Sequence, residues 1–206
     1  MRYGQFCPIA KATEILGEKW NMLILRELLV GAHRFTEIQR GLGDISPALL
    51  SGRLKALEGH GLLVRRKVSG TRQVEYYATE AGEALLPVLV RMDEWGLLWA
   101  RNNVLDEDLD IGLLMTYLER SIDPARLPGA ESVIRFRFVD LSQQQNFWLL
   151  VKGDRVDLCL TDPGRDVDVF FNCTMRTMHD VWMGERTYRE AMKTGDLKVE
   201  GEPALV

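Results

Sequence analysis

Cysteine is scarce in this chain: Cys7, Cys159 and Cys173 are the only three in 206 residues, with no CxxC or Cys/His spacing among them. An odd, scattered set argues against a disulfide scaffold and against structural zinc, so reduced thiols are expected. Histidine is equally rare, and His33, His60 and His179 fall in no nucleophile or metal spacing. His179, between Met178 and Asp180 on an expected helix, reads as a surface or satisfied side chain. Phosphate-binding glycine loops and a GxSxG elbow are absent too, so the chain is not expected to be an enzyme and no cofactor or metal is expected. No apolar run reaches the roughly eighteen residues of a membrane span. The start, MRYGQFCPIAKATEILG, lacks a signal peptide's apolar stretch and cleavage site, so the expected location is cytoplasmic, without membrane insertion.

What is present suits two small packed domains: 46% apolar and 27% charged residues. The net charge of −4 is unevenly spread. Residues 1–100 carry 13 Lys and Arg against 11 Asp and Glu, the remainder 13 against 19. From Arg34 to Arg72 the basic residues Arg34, Arg40, Arg53, Lys55, Arg65, Arg66, Lys67 and Arg72 face only Glu37, Asp44 and Glu58. This is the charge a phosphate backbone would meet, although charge alone also fits a solvated face.

Helical patterning covers residues 7–16 and 19–30, the second, KWNMLILRELLV, apolar nearly all round and so expected to be buried, with Gly31 as its stop. A short helix follows from Phe35 to Leu42, and Gly43-Asp44 supply turn chemistry. Ser46 is a strong N-cap and Pro47 suits the first helical position. In SPALLSGRLKALEGHG the i, i+4, i+7 spacing of Leu50, Leu54 and Leu57 turns those residues to the core. Ser46, Pro47, Ala48, Ser51 and Lys55 are left outside, with Arg53 to one side. Two short helices across a tight turn, the second with small, polar and basic residues on its outer face, form the layout of a helix-turn-helix; the bland alternative is a surface helix of a bundle.

Beyond Gly61, GLLVRRKVS and VEYYAT are β-rich runs around Ser69-Gly70-Thr71-Arg72-Gln73, a hairpin with a basic tip. Such a wing could send Arg72 into a minor groove while Arg65, Arg66 and Lys67 neutralise phosphates. Thr79 to Gly82 opens a long helix that Pro87 should kink. Its residues Ala81, Leu85, Val88, Met92, Trp95 and Trp99 form a narrow seam, suited to a dimerisation helix or to internal core.

On CPIAKATEILGEKWNMLILRELLVG, RFTEIQRGLGDISPALLSGRLKALEGHGLLVRR and YYATEAGEALLPVL with MDEWG, residues 7–96 resemble the HxlR-type branch of winged-helix regulators, relatives of the MarR group. The resemblance implies a homodimer built by the terminal helices of the domain on a pseudo-palindromic double-stranded DNA operator, its half-sites about one helical turn or a multiple apart. It also implies a possible redox sensor in Cys7, just before the first helix. Pro8 would place Cys7 at the N-cap, where the helix dipole favours a nucleophilic thiolate; the alternative is a small apolar group packed at a dimer interface.

Residues 101–110, RNNVLDEDLD, read as an acidic linker, IGLLMTYLERS as a short helix, and ARLPGAE as a loop. SVIRFRFVDL then alternates cleanly, and NFWLLVKG, DRVDLCLT and DVDVFFNCT follow with Gly153-Asp154 and Pro163-Gly164 as turns, for which an antiparallel sheet is the economical reading. TMRTMHDVWMG and TYREAMKTG read as helices before an extended DLKVEG, with the helices on one face of the sheet. From Trp148 onward this half resembles sterol-carrier-protein type two domains, through WLLVKGDRVDLCLT, DVDVFFNCT and VWMGERTYREAMKTGDLKVEGEPALV, where Gly184, Ala191, Gly195 and Gly201 recur as in that family. That resemblance implies an apolar tunnel for a hydrophobic small-molecule effector. Phe147, Trp148, Phe170, Phe171, Met175, Met178, Trp182 and Met192 could line it, or be ordinary core.

The expected fold class is therefore α+β. It comprises an N-terminal winged helix-turn-helix domain over 1–100, an acidic linker and short helix over 101–130, and a sterol-carrier-like domain over 131–206, which could begin near 110. The C-terminal domain should hold a mostly antiparallel sheet covered by helices. The expected function is sequence-specific regulation of transcription by a homodimer whose C-terminal domain binds an effector. Two rivals are a lipid-binding protein that uses its winged helix mainly to dimerise and a thiol sensor acting through Cys7.

Overall fold

The structure, a computed structural model, describes residues 2–100, 104–127 and 129–201. Residues 101–103 of the expected linker, Pro128 of the following loop and the last five residues of the sterol-carrier-like stretch lie outside the described residues. The chain forms two compact units that divide after Val104.

The first unit contains α1 (Pro8–Leu16), α2 (Asn21–Leu29), α3 (Phe35–Leu42), α4 (Pro47–Gly59), the hairpin β1 (Leu63–Lys67) and β2 (Val74–Ala78), then α5 (Glu80–Glu83) and α6 (Leu86–Trp99). Its core joins Ile24, Leu25 and Leu28 of α2, Ile38 and Leu42 of α3, Ile45 of the turn, Leu50, Leu54 and Leu57 of α4, and Leu63 of β1. Two expectations change. The helix expected over 19–30 begins only at Asn21, because Trp20 stands in the left-handed region at φ 81° and packs against the core. Its burial is also one-sided, leaving Leu23 and Val30 exposed. The long helix expected from Thr79 is broken in two rather than kinked. Thr79 caps α5 by accepting from the Gly82 N–H, and Pro87, which has no N–H to donate, sits in the first turn of α6.

One close approach fixes how α3 meets α2. Glu27 is fully buried, with its carboxylate bonded to Arg26 Nε at 2.9 Å, while Arg26 Nη2 donates to the Gly41 carbonyl at 2.8 Å. A Cβ at Gly41 would stand 1.8 Å from Glu27 Oε2. A buried charge is tolerated when it is paired and hydrogen-bonded, and here the pairing is possible only because residue 41 has no side chain.

The second unit contains α7 (Ile111–Ser121), β3 (Glu131–Phe138), β4 (Asn146–Lys152), β5 (Arg155–Cys159), β6 (Val169–Cys173), α8 (Met175–Trp182), α9 (Tyr188–Thr194) and β7 (Leu197–Gly201). The five strands lie in the order β5-β4-β3-β6-β7. The sheet is mostly antiparallel, but β6 runs parallel to β3. After the β3-β4-β5 meander the chain crosses to the far side of β3, and such a crossover returns it in the direction of β3 and β5. Asp168 pins the start of β6 by accepting from the Val133 N–H at 2.7 Å. Alternation divides the two faces: Ile134, Phe136 and Phe138 pack with Phe147, Leu149, Val169, Cys173 and Leu197 beneath Leu114, Met115 and Leu118 of α7, Met178 and Val181 of α8 and Ala191 of α9. The three helices therefore cover one face. Threonine caps open both C-terminal helices, Thr174 accepting from Thr177 and Thr187 from Glu190, the latter in a reciprocal box with the Glu190 carboxylate.

Candidate nucleic-acid interface

Ser46 caps α4, its Oγ accepting from the Leu49 N–H at 3.3 Å, and Pro47 follows at the first helical position. Ile45 is buried, and Gln39 Nε2 donates to its carbonyl at 3.0 Å, tying the turn to α3. The leucine stripe faces inward, so Pro47, Ala48, Leu49, Ser51, Gly52 and Lys55 form an exposed outer surface. Small side chains allow a helix on this face to approach base edges closely, and Lys55 makes no ion pair among the described residues.

Beside this helix the hairpin is registered Arg65 to Tyr76, Arg66 to Glu75 and Lys67 to Val74. Its base is bolted to the segment between α2 and α3. The Tyr76 N–H donates to the His33 carbonyl at 2.8 Å, the His33 ring stacks on Tyr77 with centroids 4.3 Å apart, and Arg34 lies 3.7 Å from the Glu75 carboxylate. Tyr77 donates to Glu75 at 2.6 Å, a bond that with burial and the nearby carboxylate raises the phenol pKa. Glu37 closes the N-terminus of α3. Burial pushes its carboxyl pKa up, but the backbone N–H groups of Arg34 and His33, at 2.9 and 3.0 Å, outweigh that and hold it below the usual value. The tip is a tight turn held by Thr71, whose Oγ1 donates to the Val68 carbonyl and accepts from the Gln73 N–H. Arg65, Arg66, Lys67 and Arg72 are exposed and form no ion pair among the described residues; Arg66 lies over the Tyr77 ring at 4.9 Å.

Ser46, Pro47, Ala48, Ser51 and Lys55 thus share one surface, and the four wing cations lie on the hairpin that follows. Arg53 does not join them. Its Nη1 binds Glu18 at 3.0 Å, its side chain is one-quarter exposed, and it ties α4 to the end of α1. The supporting roles of His33, Gln39 and Tyr77 were not singled out from sequence, because their partners lie in other elements.

Cys7 is the N-cap residue of α1, half-buried, and its side chain makes no capping bond. Phe6 and Ile9 beside it are 99% and 77% exposed, and along α6 Val88, Met92, Trp95, Leu98 and Trp99 are exposed as well. Pro87, Val88, Arg91, Met92 and Trp95 line an open, apolar groove of about 610 Å³.

In the second unit, the eight residues considered for an apolar pocket do not share one cavity. Phe147, Phe171, Met175 and Met178 belong to the helix-covered core or pack against it. Trp148 and Phe170 both register with Arg135, on the other face of the sheet. Trp182, exposed by 38%, stacks on Tyr117 at 4.8 Å, and Met192 is 40% exposed. The burial of Cys173 against the core, with Asp140 nearby, pushes its thiol pKa up to about 12. No group of three or more His, Cys, Asp or Glu side chains that could hold a metal occurs among the described residues, and none of their helices is long and apolar enough to cross a membrane.

Two family models match the chain: the HxlR-like helix-turn-helix over residues 15–104 and the SCP-2 sterol transfer family over residues 114–206. An HTH-type transcriptional regulator of Bacillus subtilis, YvaP, is 38% identical over 108 residues, 52% of this chain and 100% of that protein. An HTH-type transcriptional regulator of Synechocystis is 36% identical over 97 residues, 47% of this chain and 72% of that one. Among solved structures, the reduced form of the transcriptional regulator YodB from B. subtilis is 35% identical, covers 48% of this chain and 98% of its own, and superposes with a TM-score of 0.42.

Proposed function

This chain belongs to the HxlR-like helix-turn-helix family and carries an SCP-2-type domain, and from that premise we propose that it regulates transcription by reading a pseudo-palindromic operator as a homodimer. The observation that carries this reading is the set of five exposed cations on α4 and the wing, Lys55, Arg65, Arg66, Lys67 and Arg72, none of them in an ion pair among the described residues. Ordinary surface cations spend part of their field on neighbouring carboxylates; these keep theirs for an external polyanion. Ser46, Pro47, Ala48 and Ser51 meet the major groove, Lys55 and the wing strands serve phosphates, and Arg72 reaches the minor groove. Arg53 serves the scaffold. The exposed apolar residues of α6, with Phe6 and Ile9, are the surface that a second copy covers.

The test is a titration of the purified protein on DNA from its own upstream region and on scrambled DNA at physiological salt. Specific binding by dimers about 10³ or more tighter than on scrambled DNA is expected; equal, weak binding to both ends the proposal and favours the lipid-binding rival. A finer part of the reading is that the SCP-2-type domain takes a hydrophobic effector on its helix-covered side, Phe147, Phe171, Met175 and Met178 lying nearest. Lipid extraction followed by mass spectrometry tests it, and a protein that never carries or binds an apolar ligand removes it.

A second reading, thiol sensing by Cys7, is favoured by one observation: the side chain stands at a helix N-terminus without using its sulfur as a cap. Diamide should weaken operator binding by the wild type and not by Cys7→Ser, and equal loss in both refutes it.

A further inference from the structure

The face of the sheet turned away from α7, α8 and α9 carries a constellation that neither DNA reading nor an apolar effector uses. Register sets Trp148, Arg135 and Phe170 in one row across β4, β3 and β6, and Arg137, Asn172 and Lys198 in the next row across β3, β6 and β7. Arg135, Arg137, Asn172 and Lys198 line a cavity of about 130 Å³, with Phe170 and Glu200 also in its wall. At roughly 30 Å³ per water, that is room for a small organic molecule and not for a lipid chain.

Three features set this face apart from a solvated sheet surface. Arg135 is immobilised: Asn146 Oδ1 accepts from its Nη2 at 2.9 Å and its Nε at 3.3 Å, and the rings of Trp148 and Phe170 flank the guanidinium at 5.7 and 5.8 Å. Its Nη1 makes no hydrogen bond among the described residues, so one edge of the fork is left to donate. Among the described residues Arg137 and Lys198 form no ion pair although Glu200 lines the same cavity, whereas exposed sheets commonly match opposite charges across strands. Trp148 is only 7% exposed, and its Nε1–H is buried without an acceptor, a donor that folding does not normally leave unmet. A fixed guanidinium presenting a donor edge, two further cations against one carboxylate, and an aromatic ring 36% exposed beside them match one chemistry.

We propose that this face binds a small organic carboxylate with a flat apolar body, the carboxylate on Arg135 with Arg137 and Lys198 supplying charge and the body lying on Phe170. The proposal rests neither on operator binding nor on an apolar ligand at the helix-covered side, since binding is read directly. Calorimetric titration of the full chain with benzoate, benzamide and inorganic phosphate tests it. Benzoate should bind once per chain and benzamide at least about tenfold more weakly, because the neutral amide forfeits the charge-assisted bonds. Arg135→Gln should weaken benzoate by about tenfold or more, and the double variant Arg137→Gln/Lys198→Gln by several-fold, while Arg189→Gln on α9 leaves it unchanged. Because the Arg137 and Lys198 side chains are exposed, the double variant decides the matter if Arg135→Gln does not fold. Benzamide binding as tightly as benzoate, full affinity in the double variant, phosphate binding without benzoate binding, or no benzoate binding in the millimolar range would each overturn the proposal.

Discussion

Helices α4 and α6 belong to the same unit and each leaves a face uncovered, yet the two faces are opposite in kind. The uncovered face of α4 is made of Pro47, Ala48, Leu49, Ser51, Gly52 and Lys55, with one large apolar side chain among small and polar ones, that of α6 of Val88, Met92, Trp95, Leu98 and Trp99. Water solvates the first at little cost and is excluded from the second at a gain of about 1.5–3 kcal/mol for each large side chain fully covered. The first suits the hydrated polyanion and the second the apolar cover that the proposed function assigns to them. The comparison bears on how a chain with net charge −4 could meet DNA: within the first unit Lys55, Arg65, Arg66, Lys67 and Arg72 gather on α4 and the wing, while the largest run of exposed apolar side chains lies on another helix.

The comparison breaks most severely if the apolar face is charged. Trp95→Glu with Leu98→Glu is expected to yield monomers in sedimentation velocity and to cost about a hundredfold or more in operator affinity, with far-UV circular dichroism unchanged. A dimer that survives both changes would move the interface off α6. Next in size is the support beneath the helix-turn-helix. Gly41→Ala should lower the stability of the first unit by about 2–3 kcal/mol in denaturant titration, because the methyl displaces the buried Glu27 carboxylate from its partners. A loss of only a few tenths would mean that α3 shifts freely.

Smaller effects sharpen the polar face. Lys55→Ala and Arg72→Ala should each weaken operator binding by about tenfold and flatten its salt dependence by about one unit, with thermal stability held. Arg53→Ala should do the reverse, lowering stability through the lost Glu18 pair and leaving the salt slope alone. A reduced salt slope for Arg53→Ala would return that residue to the interface. The smallest change is chemical. At pH 8 the Cys173 thiol, raised to about 12, stays protonated and buried, so native protein should react with a thiol reagent at no more than two of its three cysteines. Three rapid equivalents would show that the second unit opens.

Much of this was legible along the chain. Ser46, Pro47 and the leucines at 50, 54 and 57 declared α4, its cap and its buried side, because capping and helical periodicity are local properties. The alternation of Ile134, Phe136 and Phe138 with Val133, Arg135 and Arg137 likewise declared a sheet with two unlike faces. Less legible was anything that depends on a partner distant in sequence. Arg53 read as a cation beside the recognition face until Glu18, 35 residues earlier, was seen to occupy it. The eight candidate pocket residues read as one apolar set although Phe147 and Trp148, being neighbours on a strand, must point to opposite sides.

What the sequence determined by itself was the inventory of elements with their caps and stripes, which follow from short-range spacing, together with the uneven distribution of charge and the resemblance of its two halves to two families. Tertiary structure alone decided that β6 would run parallel to β3, that Gly41 would make room for a buried Glu27, and that Arg135, Arg137 and Lys198 would converge on one cavity. These depend on which strands and helices become neighbours, and neighbours are chosen by the packing of the whole unit rather than by any stretch of it.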